Sequence, residues 1–258
     1  MGIYRRFEDW LFGKVDNIAL IFYRILWGGI LFSQTLYWVE GSYARLHHHF
    51  YATPFHAKYF LREWVVVPED MFYLKALTTV MLVFSAFFCL GLLTRLSLLI
   101  WLLSFSYLYY LDTAHYLNHY YLVQLVCILS LTLPLSGNYS LDCLLGLSKR
   151  TEECRRWNYF ILRLQVAIVY FYAATAKIEE TDWLRGEPLR HWMHGRGEEE
   201  YFGDIFRMKG LCYMMSYGGI FVDMFASIGL WQSRHRYIQI LAHTACLSFH
   251  CINHYIFE

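Results

Sequence analysis

The 258-residue chain is 57% hydrophobic and 20% aromatic but only 17% charged, with a formal net charge of +1. Soluble domains carry about 25% charged residues, so a single water-soluble core would have too few polar side chains to coat its surface. The balanced charge removes the case for a nucleic-acid partner, and seven cysteines without one CxxC pair remove the case for a zinc module or a thioredoxin-type motif.

The N-terminal stretch MGIYRRFEDWLFGKVDN is charged and aromatic. It lacks the short apolar region and small-residue cleavage site of a signal peptide, and Arg6 stands where N-myristoylation needs Ser or Thr. Seven apolar runs follow, at about 18–38, 76–94, 96–111, 117–135, 159–177, 211–230 and 238–256. Most approach or exceed the roughly 18 residues that cross a bilayer as a helix. A membrane β-barrel would instead show alternating segments of about ten residues. The expected fold is an all-α integral membrane protein of about seven transmembrane helices, with residues 1–258 forming a single multi-span domain. The tripeptide TRL between the second and third runs reads as the turn of a tight helical hairpin. Short-loop Lys and Arg residues set orientation. With the N-terminus cytoplasmic, Arg5, Arg6, Lys14, Arg95, Lys149, Arg150, Arg155, Arg156, Arg234 and Arg236 fall inside, and the short loop from Asp112 to Tyr116 has neither Lys nor Arg. The two long connections, about 39–75 and 178–210, then face the lumen or exterior.

This orientation gives each span a direction. The fourth starts at the outer face with Asn118 and His119, the fifth delivers Lys177 to that face, and the seventh carries His250, Asn253 and His254 into its outer half. Intramembrane polar groups are costly and usually face an interior or a wet cavity, so their convergence at one depth is a functional signal. On the fifth helix Ala174, Ala173 and Tyr170 lie three, four and seven residues before Lys177 and share its face. Shielded from water beside these small residues, Lys177 would lose proton affinity and serve as a general base. Alternatively it snorkels to the interface, as basic residues at span ends do. His119 has the same two readings: an interhelical hydrogen-bond partner, or a group suited to proton transfer near neutral pH. His250 and His254, four apart, have a spacing that can bind metal, but without an HExxH pattern no metal is expected. The run His47–His49 is read as a solvated or headgroup-facing cluster. Arg24 and Arg163, inside spans, need carboxylate or backbone-carbonyl partners, with Asp223 available to either.

Several of these stretches resemble the vitamin K-dependent gamma-carboxylase family, whose membrane part also occurs in bacterial relatives. FYRILWGGILF resembles the family's first helix, and YLNHYYL its Asn-His element. RWNYFILRLQVAIVYFYAATAKIEETDWLRGEPLRHW is similar to the stretch running through the catalytic lysine to an Arg-His-Trp, and FHCIN to a later helix. By this resemblance Lys177 matches the base that acts on vitamin K hydroquinone, and His119 the histidine that assists it. Asn118, Arg190, His191, Trp192, His250 and Asn253 fall in the substrate and quinone pocket. The implied activity is carboxylation of peptide glutamate to gamma-carboxyglutamate. It is driven by oxidation of the hydroquinone to its epoxide, with O2 and CO2 as co-substrates and no metal. The implied partners are a glutamate-containing protein and the lipid bilayer. The implied location is the endoplasmic reticulum membrane of a eukaryote or the inner membrane of a bacterium. Full-length carboxylases continue into a large lumenal domain, so the chain to Glu258 corresponds to the N-terminal membrane part, with the C-terminal lumenal domain absent. A non-carboxylating relative that binds a quinone or other lipid, or serves as an assembly partner, is the alternative. A transporter is disfavoured by the lack of an inverted repeat or of paired broken helices.

Overall fold

The computed structural model describes residues 2–40, 65–111, 116–194, 208–229 and 235–257. The His47–His49 cluster, the loop residues 112–115 and Arg234 lie outside them. Among the described residues, the regular structure is helical apart from one short two-stranded sheet. Its chain divides into two compact units, Met1–Phe160 and Ile161–Glu258.

The first unit opens with α1 (Ile3–Phe12), an amphipathic helix with no buried residue. Strand β1 (Lys14–Asp16) pairs antiparallel with β2 (Glu153–Arg155). This clip ties the N-terminus to the start of α7 (Trp157–Glu179). A hydrogen-bonded ion pair of 2.8 Å joins Lys14 to Glu153 across it, and the Glu153 carboxylate raises the Lys14 amine above its usual range. Burial pushes the Cys154 thiol up as well, so it stays protonated and unreactive. Phe7 and Trp10 of α1 set their rings against Phe160, and the Arg156 guanidinium lies 5.1 Å from the Trp10 ring centre.

Helices α2 (Ile18–Glu40) and α3 (Met71–Leu90) cross closely because Gly28 faces the Cys89 backbone. A Cβ on Gly28 would lie 2.6 Å from the Cys89 Cα, so only glycine permits this approach, the usual device where two helices pack in a membrane. Helix α4 (Thr94–Tyr110) follows, then α5 (Asn118–Leu131) and the single turn α6 (Leu141–Leu144). The expected TRL turn lies earlier in the chain than predicted. Gly91 ends α3 in the left-handed conformation (φ 73°), and Thr94 and Arg95 already belong to α4. Glycine reaches that conformation without steric cost, which a sequence window centred on hydropathy does not register. Asp142 then takes the free amides at the start of α4, accepting from Leu93 N at 2.6 Å, Thr94 N at 3.0 Å and the Thr94 hydroxyl at 2.8 Å.

Arg24 is 1% exposed within α2. Its guanidinium donates through Nη1 to the Leu135 carbonyl at 2.9 Å and through Nη2 to the Tyr139 carbonyl at 2.6 Å, while its buried Nε has no partner among the described residues. Its hydrogen-bond partners are thus backbone carbonyls rather than Asp223. Arg163, expected inside a span, is exposed on α7.

The second unit holds most of α7, the turn α8 (Thr181–Leu184), α9 (Glu187–His194), α10 (Lys209–Gly229) and α11 (Arg236–Phe257). Helices α10 and α11 meet through small residues. A Cβ on Gly229 would lie 3.1 Å from the Ala242 Cβ, and one on Gly219 would be 3.5 Å from the Phe249 ring.

Among the described residues, four helices are long and apolar enough to cross a membrane: α2 over Ile18–Val39, α3, α7 and α10. The protein is thus an all-α membrane protein. Three of the expected runs differ from this description. Helix α4 has 17 residues, and α5 has 14 because it stops at Thr132 ahead of Pro134. Helix α11 has 22 residues but interrupts its apolar run with Gln239, His243, His250, Asn253 and His254.

The Gly91 turn makes a measurable prediction. Gly91 and Gly146 share φ 73°, but a Cβ on Gly146 meets nothing within 4 Å whereas one on Gly91 would lie 2.6 Å from the Ser140 Cβ and 2.8 Å from Arg24 Nη1. Thermal unfolding of the purified protein should show Gly146→Ala losing about 1 kcal/mol from conformation alone. Gly91→Ala should lose about 2 kcal/mol more from overpacking. Equal losses would exclude the steric account.

Candidate functional site

Lys177 sits near the C-terminal end of α7, with Ala174 buried (1% exposed) one turn before it. A helical side chain leans toward the N-terminus of its own helix, so a lysine here projects back along α7 rather than out past its end. Its ammonium meets Asp223 of α10, with Nζ 2.5 Å from Oδ2. The Lys177 side chain is 18% exposed and that of Asp223 3%. Trp183 of α8 and Phe249 of α11 complete the surroundings, their ring centres 5.2 Å and 5.7 Å from Nζ. The ammonium therefore has one carboxylate and two aromatic faces around it, all favourable to a cation.

The turn after α7 holds this arrangement in place. The Ser216 hydroxyl of α10 donates to the Trp183 carbonyl, and the Tyr217 hydroxyl to the Leu184 carbonyl at 3.1 Å. Asp223 lies seven residues further along α10 than Ser216, about 10 Å at the α-helical rise. Its carboxylate is thus well inside the apolar part of α10 and not at its end. Leu189 and Met193 of α9 bury against Cys212, with Trp183, Leu211 and Met215 packed around them. Gly186 allows the reversal between α8 and α9 with φ 69°, and a Cβ there would lie 3.3 Å from the Cys212 carbonyl carbon.

One turn and more before Lys177, the Tyr170 hydroxyl shares a hydrogen bond of 2.9 Å with His250 Nε2. Cys246 and Asp223 are its electrostatic neighbours. A groove of about 540 Å³ runs between α10 and α11. Leu211, Met214, Met215 and Val222 supply apolar walls, Gly218 and Gly219 leave room, and Asn253 gives one polar edge. Phe249 lines this groove and also faces Lys177.

The expected site residues separate as follows. Within the second unit Lys177, His250 and Asn253 gather around this tyrosine, phenylalanine and groove. Arg190, His191 and Trp192 lie on the exposed side of α9. There Arg190 pairs with Glu187 at 2.8 Å, and the Trp192 ring meets Trp183 edge-on at 6.1 Å. Asn118 and His119 form the exposed first turn of α5 in the first unit. Among the described residues, no group of three or more His, Cys, Asp or Glu side chains gathers to hold a metal ion. Asp223 is the residue of this cluster whose partner sequence reasoning missed, by offering it to Arg24 or Arg163. A usable signal existed, because it is the single acid in its apolar run and a buried carboxylate needs a cation.

The sequence pattern of the HTTM domain matches residues 12–258. The chain belongs to the HTTM domain family. HTTM is the membrane domain of vitamin K-dependent carboxylase and its relatives, which fits the all-helical, bilayer-embedded character of the chain. No solved structure matches it.

The Lys177–Asp223 pair of this HTTM chain predicts a stability pattern. Removing one member of a buried pair leaves an uncompensated charge and costs about 3 kcal/mol. Thermal unfolding in detergent should rank Asp223→Asn and Lys177→Met well below wild type, with the double substitution recovering much of the loss. A double substitution as unstable as the sum of the two would show that the groups do not interact.

Proposed function

We propose that this HTTM chain is the membrane core of a gamma-glutamyl carboxylase, which uses vitamin K hydroquinone, O2 and CO2 to convert peptide glutamate to gamma-carboxyglutamate. The observation that supports the reading is Lys177, an amine held between Asp223 and two aromatic rings. We further propose about seven spans with the N-terminus cytoplasmic. The membrane would be the endoplasmic reticulum in a eukaryote or the inner membrane in a bacterium.

The chemistry requires such a place. A glutamate γ-CH is too weak an acid for any side chain to deprotonate, so oxidation of the hydroquinone supplies the driving force. Water would quench a strong base before it reached glutamate, and an apolar enclosure excludes it. The residues fit a hydroquinone. The Trp183 and Phe249 rings offer flat apolar faces beside Nζ, and the groove that shares Phe249 suits an apolar tail. In this reading Lys177 takes the proton of a ring hydroxyl and then holds the resulting anion by charge. His119 assists the proton transfer, with Asn118 beside it. Asn253 orients polar atoms at the groove edge, His250 acts through its hydrogen bond to Tyr170, and Arg190, His191 and Trp192 contribute to the approach of the glutamate-containing partner.

The test is hydroquinone-dependent incorporation of labelled CO2 into a glutamate peptide by membranes containing the full chain. Lys177→Ala should reduce incorporation to background, and His119→Ala should lower it by about 10²-fold, the usual contribution of a proton-transfer group. Normal incorporation by Lys177→Ala would sink the base assignment. Hydroquinone binding without incorporation would favour a non-carboxylating relative that binds quinone.

A further inference from the structure

A base must have somewhere to put a proton, and the geometry around Lys177 raises that problem directly. Its Nζ is hydrogen-bonded to a carboxylate at 2.5 Å, and the two rings that face it attract a cation without accepting a proton from it. An ammonium so held has no lone pair to offer. A base role for Lys177 alone therefore requires it to be neutral before substrate arrives, whereas the carboxylate and the two rings beside it favour an ammonium.

We propose that Lys177 and Asp223 work as one proton-sharing unit, in which Asp223 is the positioning residue that stores the proton. The inference rests on the base role of Lys177 proposed above. In the step, Lys177 passes one N–H proton to the Asp223 carboxylate as it takes the proton of an acidic hydroxyl, such as that of a hydroquinone. One substrate O–H bond and one lysine N–H bond break. One new N–H bond and one Asp223 O–H bond form. The pair goes from net neutral to a single positive charge, and the substrate oxygen keeps the electron pair of its broken bond as an anion beside the ammonium. No oxidant is needed for this step, and lysine is an ammonium before and after it.

Three observations support Asp223 as the store. It is the carboxylate in direct hydrogen-bond contact with Nζ. At 3% exposure its side chain is shielded from water, and in the step its counter-charge is drawn to the new substrate anion. Its position is also secured at a distance from the chemistry, because Ser216 and Tyr217 on the same helix bind the carbonyls of Trp183 and Leu184. Among the described residues, Tyr170 is a titratable neighbour of Asp223, with His250 and Cys246 next to it. Tyr170 already shares its hydroxyl with His250.

Difference infrared spectroscopy on the full chain in lipid nanodiscs tests this. The probe is vitamin K hydroquinone added without oxygen, its own ring bands reporting binding. The expected result is a protonated-carboxyl C=O band that appears with the bound ring bands, shifts in heavy water, and is absent in Asp223→Asn. In turnover, Asp223→Asn should lower kcat by about 10²-fold or more with little change in KM for hydroquinone, and Asp223→Glu should restore part of it. A purely structural carboxylate would produce no such band. Hydroquinone binding without the band, or with the same band in Asp223→Asn, overturns the proton-sharing role and leaves the proposed function standing. Absence of hydroquinone binding overturns the proposed function and this inference with it.

Discussion

A charge inside a membrane-embedded helical unit must find an opposite charge or a set of oriented dipoles within hydrogen-bond reach, because lipid supplies neither. That requirement organises both units of the chain. In the first, the guanidinium of Arg24 donates to the carbonyls of Leu135 and Tyr139, which holds the loop after α5 against α2. In the second, Asp223 satisfies Lys177 and links α7 to α10. The two solutions differ in consequence. Carbonyl dipoles fix an arginine that stays charged under all conditions. A carboxylate pairs with a lysine whose proton it is able to accept.

Close backbone approach makes each solution possible. The Arg24 guanidinium passes so near the α3–α4 turn that residue 91 must lack a Cβ, and Gly28 brings α2 onto α3 in the same way. In the second unit Gly229 brings α10 onto Ala242. Phe249, further along α11, lies 5.7 Å from Lys177 Nζ. The small residues are thus not spacers of convenience. They set the distances at which a buried cation meets its partners, as packing does generally where lipid removes the hydrophobic drive for helices to associate.

Hydropathy made the helices and the membrane environment legible, since runs such as 18–38 and 159–177 require little beyond counting. Element ends were less legible where one residue's conformation decides them. Gly91 and Pro134 stop their helices through backbone geometry, while the apolar pattern continues past both. The site was half visible. Lys177 stood out as a cation closing an apolar run, and Tyr170 shared its face by spacing alone. The pairing with Asp223 did not follow from order along the chain, because the two lie 46 residues apart and three cations competed for one acid. Only the packing decides among them: Arg24 turns to carbonyls, Arg163 faces outward, and Lys177 remains. Trp183 and Phe249 were harder still to foresee, being two among many aromatic residues in a chain that is 20% aromatic.

The direction in which Lys177 points carries the argument furthest. A snorkelling lysine spends its length reaching water, and its ammonium ends at the membrane surface. Lys177 instead reaches back to a carboxylate some 10 Å along α10 from the Ser216–Trp183 contact. Burial of an ion pair is a poor way to gain stability, because desolvation offsets most of the attraction and well-packed apolar residues would serve as well. Its retention at that depth is better explained by what the pair can do than by what it holds together. In the proposed unit, two groups 2.5 Å apart and flanked by flat apolar rings would form a base that need not be neutral at rest. Enclosure deep enough to keep a lone lysine uncharged is then unnecessary. The unit has only to keep Asp223 dry and within reach, which α10 does through its own hydrogen bonds to Trp183 and Leu184.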